Sequence, residues 1–116
     1  MLMDRDLLMN TYNAFNARDI EGVLASMHPD VDWPNGWEGG RVLGHKAIRY
    51  YWTRQWEAID PHLEPVGFDI DETGCTVVKV HQVVRDLEGS VILEGMVEHV
   101  YLFEDGLIKG MELRKA

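Results

Sequence analysis

Cysteine is almost absent from this chain, and long apolar runs are missing altogether. Cys75 is the single cysteine among 116 residues, so no internal disulfide can form and nothing indicates an oxidising compartment. No apolar stretch approaches the roughly 18 residues of a membrane-spanning helix, and the first residues lack the charged-then-apolar pattern of a signal peptide. These absences predict a cytoplasmic protein with no membrane partner.

Basic residues are also few. Lysine and arginine total 11 against 20 aspartate and glutamate residues, which gives a formal net charge of −9. Such a charge repels nucleic acid and anionic membrane surfaces, so neither is an expected partner. The five histidines show no paired metal-ligand spacing, and no phosphate-cradling or dinucleotide-binding glycine motif is present. We therefore expect no metal and no cofactor.

What the chain does contain is the composition and patterning of one globular domain. Hydrophobic residues make up 46% and charged residues 27%, which is ordinary for a soluble fold, and we expect a single domain over 1–116. Apolar residues recur at helical spacing up to residue 16, over 20–27 and over 45–59, and a short strand is predicted at 31–33. Apolar, β-branched runs separated by turn residues follow at 66–71, 75–86, 91–104 and 107–114. The pattern predicts an α+β fold in which three N-terminal helices pack on a curved antiparallel sheet and close it into a cone with a central pocket.

Three stretches resemble a known superfamily. They are YNAFNARDIEGV at 12–23, MHPDVDW at 27–33 and GHKAI at 44–48, which give a helix ending at a polar kink, a strand reaching a tryptophan and a glycine before the third helix. On these stretches the chain resembles the nuclear-transport-factor-2-like superfamily of cystatin-like α+β rolls. Within it, the chain resembles the SnoaL-like branch of ketosteroid isomerases, polyketide cyclases and limonene epoxide hydrolases. The resemblance implies a small hydrophobic ring- or carbonyl-bearing ligand in the cone.

Both faces of the strand at 91–104 are largely apolar. Side chains alternate along a strand, so one face carries Met96, Glu98, Val100 and Leu102 and the other carries Val97, His99, Tyr101 and Phe103. Because both faces should be covered, we expect the first to line the pocket and the second to form a homodimer through the sheet. Dimerisation of this kind also agrees with the resemblance.

The resemblance supplies candidate catalytic residues, but no complete set. Glu98 matches the oxyanion-binding acid of ketosteroid isomerases, and burial would raise its pKa and make it a proton donor; pairing with a nearby Arg or Lys is the alternative. Asn35 matches the general-base Asp of those isomerases and the Asn with which limonene epoxide hydrolases help to hold a water. The catalytic Asp of the last strand is matched by Leu113, and the isomerase Tyr falls on Thr11, beside Tyr12. Every known set is therefore incomplete here.

The sequence does not decide which face of the strand at 75–86 points inward. The face that carries Gln82 is the more apolar and so the more easily buried, which would place Gln82 in the pocket. If His81 points inward instead, a pair of His81 and Glu98 could act as acid and base.

All four tryptophans lie between Trp33 and Trp56, where they could form an aromatic wall for a flat ligand or could belong to the core and the dimer contact. The expected ligand-site residues are Tyr12, Phe15, Trp33, Trp37, Tyr51, Trp52, Trp56, Gln82, Met96, Val100 and Met111. Three functions stay open: an enzyme that isomerises, cyclises or hydrates its ligand by acid/base chemistry, a non-catalytic binding module, and a dimerisation domain whose pocket is closed.

Overall fold

The computed structural model describes residues 2–36 and 38–115. In this part of the chain, three helices and six strands follow in the order α1 Leu2–Asn16, α2 Ile20–Leu24, β1 Met27–Pro34, β2 Arg41–Leu43, α3 Gly44–Ala58, β3 Asp60–Ile70, β4 Thr76–Arg85, β5 Val91–Glu104 and β6 Leu107–Lys115. The strands form one sheet in the order β2-β1-β6-β5-β4-β3. The predicted α+β class, with three helices and a sheet, is confirmed.

The sheet is mixed rather than wholly antiparallel. Strands β3 to β6 form the predicted antiparallel meander, but β1 pairs in parallel with β6 and β2 pairs antiparallel with β1. A meander alone would leave the backbone groups of β6 unpaired at its edge, and β1 covers that edge. The first strand also begins earlier than predicted: Met27, expected on the face of α2, is the first residue of β1.

Two prolines lie inside β3, which starts at Asp60 instead of near residue 66. Pro61 pairs with Val84, and Pro65 pairs with Val80 just before a register shift. β3 is the edge strand of the described sheet, so no strand pairs with its open side. A proline in β3 therefore removes no hydrogen bond between strands on that side. Proline was therefore a correct signal for the end of α3 but a wrong one for the start of the strand.

Strand β5 turns inward the face that was predicted to point outward. His99 is 4% exposed and Tyr101 1% exposed, and both lie against the helices, whereas Met96 and Leu102 are 46% and 56% exposed. The alternation separated the two sets of side chains correctly, but nothing in the alternation says which set is inside. The prediction that Met96, Val100 and Leu102 line the pocket is wrong.

The helices cover the concave face of the sheet. The buried stripe of α3 consists of Ile48, Tyr51 and Trp52, and it packs with Tyr12 and Phe15 from α1 against the inner side chains of the strands. These apolar positions were predicted from their helical spacing. Among the described residues, no helix has the length and apolar character that crossing a membrane requires.

Candidate functional site

A cavity of about 400 Å³ lies between the helices and the inner face of the sheet. This volume falls within the roughly 300–1,000 Å³ typical of small-molecule sites. Among the predicted ligand-site residues, those on its wall are Tyr12, Phe15, Trp33, Tyr51, Trp52, Gln82 and Met111. The described residues of the wall include no lysine, arginine, aspartate or glutamate. The cavity is therefore apolar and aromatic, with a few polar atoms.

The aromatic side of the cavity consists of rings held edge to face. The centroid of Trp52 lies 5.6 Å from that of Trp33 and 5.6 Å from that of Phe15, at interplanar angles of 81° and 76°. Trp56 stacks on Trp52 with centroids 6.1 Å apart, but it is not among the described residues of the wall. Trp37, predicted to border the pocket, lies outside the described residues.

Three polar side chains meet inside this apolar wall. The hydroxyl oxygen of Tyr12 lies 2.8 Å from Nδ1 of His99 and 2.7 Å from the hydroxyl oxygen of Tyr101, and the Tyr101 hydroxyl lies 3.4 Å from the same Nδ1. α1 supplies Tyr12, and alternate positions of β5 supply the other two residues. We call these three side chains the Tyr–His–Tyr cluster.

Burial keeps all three members of the cluster uncharged. It lowers the pKa of His99 to about 4, because the cationic ring would lose hydration that the apolar wall does not replace. Burial also raises the pKa of Tyr12, and the neighbouring Tyr101 raises it further. Burial raises the pKa of Tyr101 as well, although its hydrogen bond with Tyr12 acts in the opposite direction. Near pH 7 the cluster therefore holds two phenols and a neutral imidazole.

The cluster has one more hydrogen-bond donor than the hydrogen bonds between its three members require. If Nδ1 is unprotonated, Tyr101 donates to the Tyr12 oxygen and Tyr12 donates to Nδ1. The Nε2–H of His99 then has no acceptor within the cluster. If Nδ1 carries the proton, the order reverses and the O–H of Tyr101 is left over. No described residue makes a hydrogen bond with Nε2. Among the described residues, Nε1 of Trp56 is the only side-chain nitrogen or oxygen that is both closed to solvent and without a hydrogen bond, so Nε2 of His99 is not closed off. Nε2 of His99 therefore opens to the cavity, and in either state the cluster offers one donor and one acceptor to a ligand.

Glu98 lies on the outer face of the sheet and cannot serve as the proton donor of the cavity. Its Oε1 accepts a hydrogen bond of 3.0 Å from Nε of Arg114, its cross-strand neighbour on β6. The ion pair that was the alternative for Glu98 is what the structure contains. His81 is also on the outer face, where its Nε2 lies 3.0 Å from Oε2 of Glu94. The expected acid–base pair of His81 and Glu98 therefore has no counterpart in the cavity, and Gln82, not His81, is on its wall.

Asn35 folds the loop after β1 and is not among the described wall residues. Its side-chain oxygen accepts a 2.7 Å hydrogen bond from the N–H of Glu38, and its backbone N–H donates to the carbonyl of Gly40 at 2.9 Å. The neighbours Pro34 and Gly36 reach the wall instead. A role for Asn35 in holding a reactive water is therefore not supported.

A second cluster, outside the cavity, consists of His28, Glu104 and Asp105. Nε2 of His28 lies 3.2 Å from Oε2 of Glu104 and 3.9 Å from Oδ2 of Asp105, and the N–H of Asp30 donates to Nδ1 of His28 at 3.0 Å. Because Nδ1 accepts, a neutral ring carries its proton on Nε2 and offers the carboxylates a donor, not a lone pair for a metal. The cluster is explained as hydrogen bonding between strands and turn.

Sequence reasoning missed His99 and Tyr101 as members of the site. A signal was present, since His99, Tyr101 and Tyr12 were the polar aromatic residues on two segments expected to pack together. A histidine and a tyrosine two positions apart share one face of a strand, and a cavity needs polar atoms at few positions.

Comparison with known proteins gives a consistent result. Residues 9–111 match the model of the SnoaL-like domain family. The crystal structure of TerC with polyporic acid has a TM-score of 0.83 and 30% identity, with 98% of this chain and 92% of that chain covered. An NTF2-like protein of unknown function from Burkholderia pseudomallei has a TM-score of 0.84 and 27% identity, over 100% and 92% of the two chains.

A third similar structure shares the fold at lower identity. RV0760c from Mycobacterium tuberculosis, in complex with estradiol-17β-hemisuccinate, has a TM-score of 0.80 and 18% identity, over 96% of this chain and 92% of that chain. No curated protein sequence matches the chain.

Proposed function

The chain belongs to the SnoaL-like domain family, and from that premise we propose that its cavity binds a small, uncharged, ring-containing molecule that bears a carbonyl oxygen. The observation that carries this proposal is the Tyr–His–Tyr cluster, in which three hydrogen-bonding side chains converge on a wall whose other described residues are mostly apolar. A carbonyl oxygen can accept a hydrogen bond from the one donor that has no acceptor within the cluster. The aromatic rings contributed by Trp33 and Trp52 suit the flat part of such a ligand.

The ligands of two similar proteins support a ring-containing molecule, although both are acids and so say nothing for an uncharged one. Polyporic acid and estradiol-17β-hemisuccinate, named for TerC and for RV0760c, both contain several rings. The absence of charged side chains among the described wall residues narrows the proposal for this chain to uncharged molecules, because a buried charge without a partner is costly.

We further propose that the bound carbonyl compound is isomerised, cyclised or hydrated by acid/base chemistry at the cluster. A donor on a carbonyl oxygen stabilises negative charge that develops there, and a nearby acceptor can take a proton from the ligand. These roles move from Glu98, Asn35 and His81 to His99, Tyr12 and Tyr101. The alternative is a non-catalytic module that holds the same ligand through the same contacts, and turnover of a bound compound separates the two.

Blocking the cavity tests the binding proposal. Val97 is on the cavity wall, so Val97→Phe adds a ring where the ligand would lie, whereas Met96→Phe places the same ring on the outer face of the same strand. We expect the uncharged ketone 2-acetylnaphthalene to bind the unchanged protein and Met96→Phe alike, and to bind Val97→Phe at least about tenfold more weakly, since about 1.4 kcal/mol of lost contact suffices. Isothermal titration calorimetry measures the three affinities.

Binding of this ketone to Val97→Phe with unchanged affinity would place the ligand elsewhere and contradict the proposal. Circular dichroism of both variants checks that each ring is accommodated without unfolding.

The homodimer stays a proposal, on a different face from the one predicted. His99 and Tyr101 are inside the protein, so the apolar residues available for a sheet contact are those of the outer face, Met96 and Leu102 among them. We expect Leu102→Glu to shift a dimer to a monomer in sedimentation velocity at micromolar concentration. Leu87→Glu, at an exposed turn between β4 and β5, should leave the dimer intact; a monomeric unchanged protein would end the proposal.

A further inference from the structure

We propose that the Tyr–His–Tyr cluster is a proton relay that interconverts the keto and enol forms of its ligand without forming a charged group. This inference rests on the proposed function, because it requires an uncharged carbonyl compound in the cavity. It goes further by assigning the reaction, keto–enol tautomerisation, and the atoms that carry the protons. The geometry points to it because one continuous chain of hydrogen bonds joins Nδ1 of His99 to both phenols.

Hydrogen-bond distances make the chain of transfers continuous. The step from Tyr101 to Tyr12 spans 2.7 Å and the step from Tyr12 to Nδ1 spans 2.8 Å, which are ordinary hydrogen-bond lengths. The imidazole ring connects Nδ1 with Nε2, which opens to the cavity. A proton that enters at Tyr101 therefore causes another to leave at Nε2, and both ends of the relay are on the cavity wall.

In the direction from enol to ketone, the transfers balance without any ion. The enol O–H gives its proton to the Tyr101 oxygen, Tyr101 passes its own to Tyr12, and Tyr12 passes its own to Nδ1. At the same time the Nε2–H bond breaks and its electron pair stays on Nε2, while the proton joins the α-carbon of the ligand. The enol C=C electron pair forms the new C–H bond, and the electron pair of the broken O–H bond forms the new C=O double bond. His99 has then exchanged one neutral tautomer for the other. Water in the emptied cavity returns the relay by giving a proton to Nε2 and taking one from Tyr101.

The surroundings of the cluster favour this relay over separate acid and base steps. A stepwise route would need an imidazolium at His99 or a phenolate at Tyr12 or Tyr101. Burial opposes each of these ions, since it lowers the pKa of the histidine and raises that of both tyrosines. No charged side chain on the described part of the wall compensates for them. A set of transfers that keeps every group neutral avoids this cost.

The relay also defines the class of substrate. The molecule must present an enol or carbonyl oxygen to Tyr101 and its α-carbon to Nε2 of His99 at once, with an aromatic or other flat portion against the tryptophans. Uncharged β-dicarbonyl compounds with a phenyl ring meet these requirements. Benzoylacetone is such a compound, and the loss of its enol absorbance reports ketonisation directly.

Removing the central hydroxyl tests the relay. Tyr12→Phe removes the hydroxyl that links Tyr101 to Nδ1 and leaves only their direct contact of 3.4 Å, which is longer than an ordinary O–H hydrogen bond. His99 and Tyr101 stay on the wall, so benzoylacetone should bind within about threefold of its original affinity. We expect the unchanged protein to ketonise the enol at least about 100-fold faster than Tyr12→Phe, the lower end of what general acid–base catalysis contributes. Tyr50→Phe makes the same chemical change at a 66% exposed position on α3 and should react like the unchanged protein.

Solvent isotope effects distinguish proton transfer through Tyr12 from a merely structural role of this residue. Several protons in transfer together give a rate that curves with the deuterium fraction of the solvent, whereas a single transfer gives a straight line. A straight line, or a Tyr12→Phe variant that keeps its rate, would overturn the relay.

The remaining outcomes separate the two proposals. Binding of benzoylacetone without accelerated ketonisation would overturn the relay and leave the proposed binding function standing. Failure of the folded, unchanged protein to bind either benzoylacetone or 2-acetylnaphthalene would overturn both. Calorimetric binding by Tyr12→Phe, together with its circular dichroism, shows that a slow variant is folded and loaded.

Discussion

2-Naphthoate should bind at least about 100-fold more weakly than 2-acetylnaphthalene, although the two molecules have nearly the same shape. Both present a carbonyl oxygen next to two fused rings, but the naphthoate is an anion. Its carboxylate would enter a cavity whose described wall carries no lysine or arginine, and whose histidine, His99, is neutral at pH 7. An unpaired ion in such a place costs several kcal/mol, and about 2.7 kcal/mol is already 100-fold in affinity. Calorimetry with both compounds at pH 7 measures the ratio.

A matched pair of variants identifies the cause of this discrimination. Gln82 is on the wall, so Gln82→Arg brings a cation into the cavity and should strengthen naphthoate binding, whereas Gln82→Met removes the polar group without adding charge and should not. If the unchanged protein bound both compounds with equal affinity, the proposal that its natural ligand is uncharged would be contradicted.

Acidification should destabilise the protein through His99, by about 3 kcal/mol between pH 7 and pH 4. The pKa of this ring is about 4 in the folded state and about 6.5 when unfolded, so the unfolded chain binds more protons throughout that interval. The stability contribution is therefore complete above pH 6.5 and is lost as the pH falls towards 4. Urea unfolding at a series of pH values, compared with that of His99→Gln, isolates the contribution, since glutamine keeps hydrogen-bonding atoms near Tyr12 but does not titrate.

His81→Gln is the control for the pH experiment. His81 lies half-exposed on the outer face beside Glu94, so its loss should leave the acid-side fall in stability nearly unchanged. If the difference between the unchanged protein and His99→Gln were the same at pH 7 and pH 4, His99 would not be buried as a neutral ring.

Much of the fold could be predicted from the sequence because its signals are local. Helical spacing gave α3 to within one residue at each end, and the turn residues before Gly89 and Gly106 separated the long strands. What local signals do not contain is the partner of each strand. The parallel pairing of β1 with β6, and the position of β3 at the edge that lets Pro61 and Pro65 remain within a strand, depend on the whole sheet.

The site was harder to predict because a strand's alternation has two equivalent solutions. The sequence separated His99 and Tyr101 from Glu98 correctly, and only the choice of face was wrong. That choice followed a resemblance to enzymes with an acid on this strand, whereas here the carboxylate of Glu98 finds Arg114 across the β5–β6 pair. Neither residue's sequence neighbourhood indicates this partnership. Tyr12 lies one position from Thr11, where the resemblance placed a tyrosine, and both side chains are on the cavity wall.

The most direct measurement is nitrogen-15 NMR of the histidine side chains at pH 7, with His99 assigned by the His99→Gln variant. Without ligand, we expect Nε2 of His99 to carry the proton and Nδ1 to accept from Tyr12, because this tautomer satisfies every hydroxyl of the cluster internally. On addition of 2-acetylnaphthalene, whose carbonyl accepts from the O–H of Tyr101 as in the relay, the proton of His99 should move from Nε2 to Nδ1, so both of its nitrogen resonances should shift while those of the other histidines stay in place. Saturable binding of the ketone that leaves both nitrogens of His99 unchanged would contradict the assignment of this cluster as the ligand site.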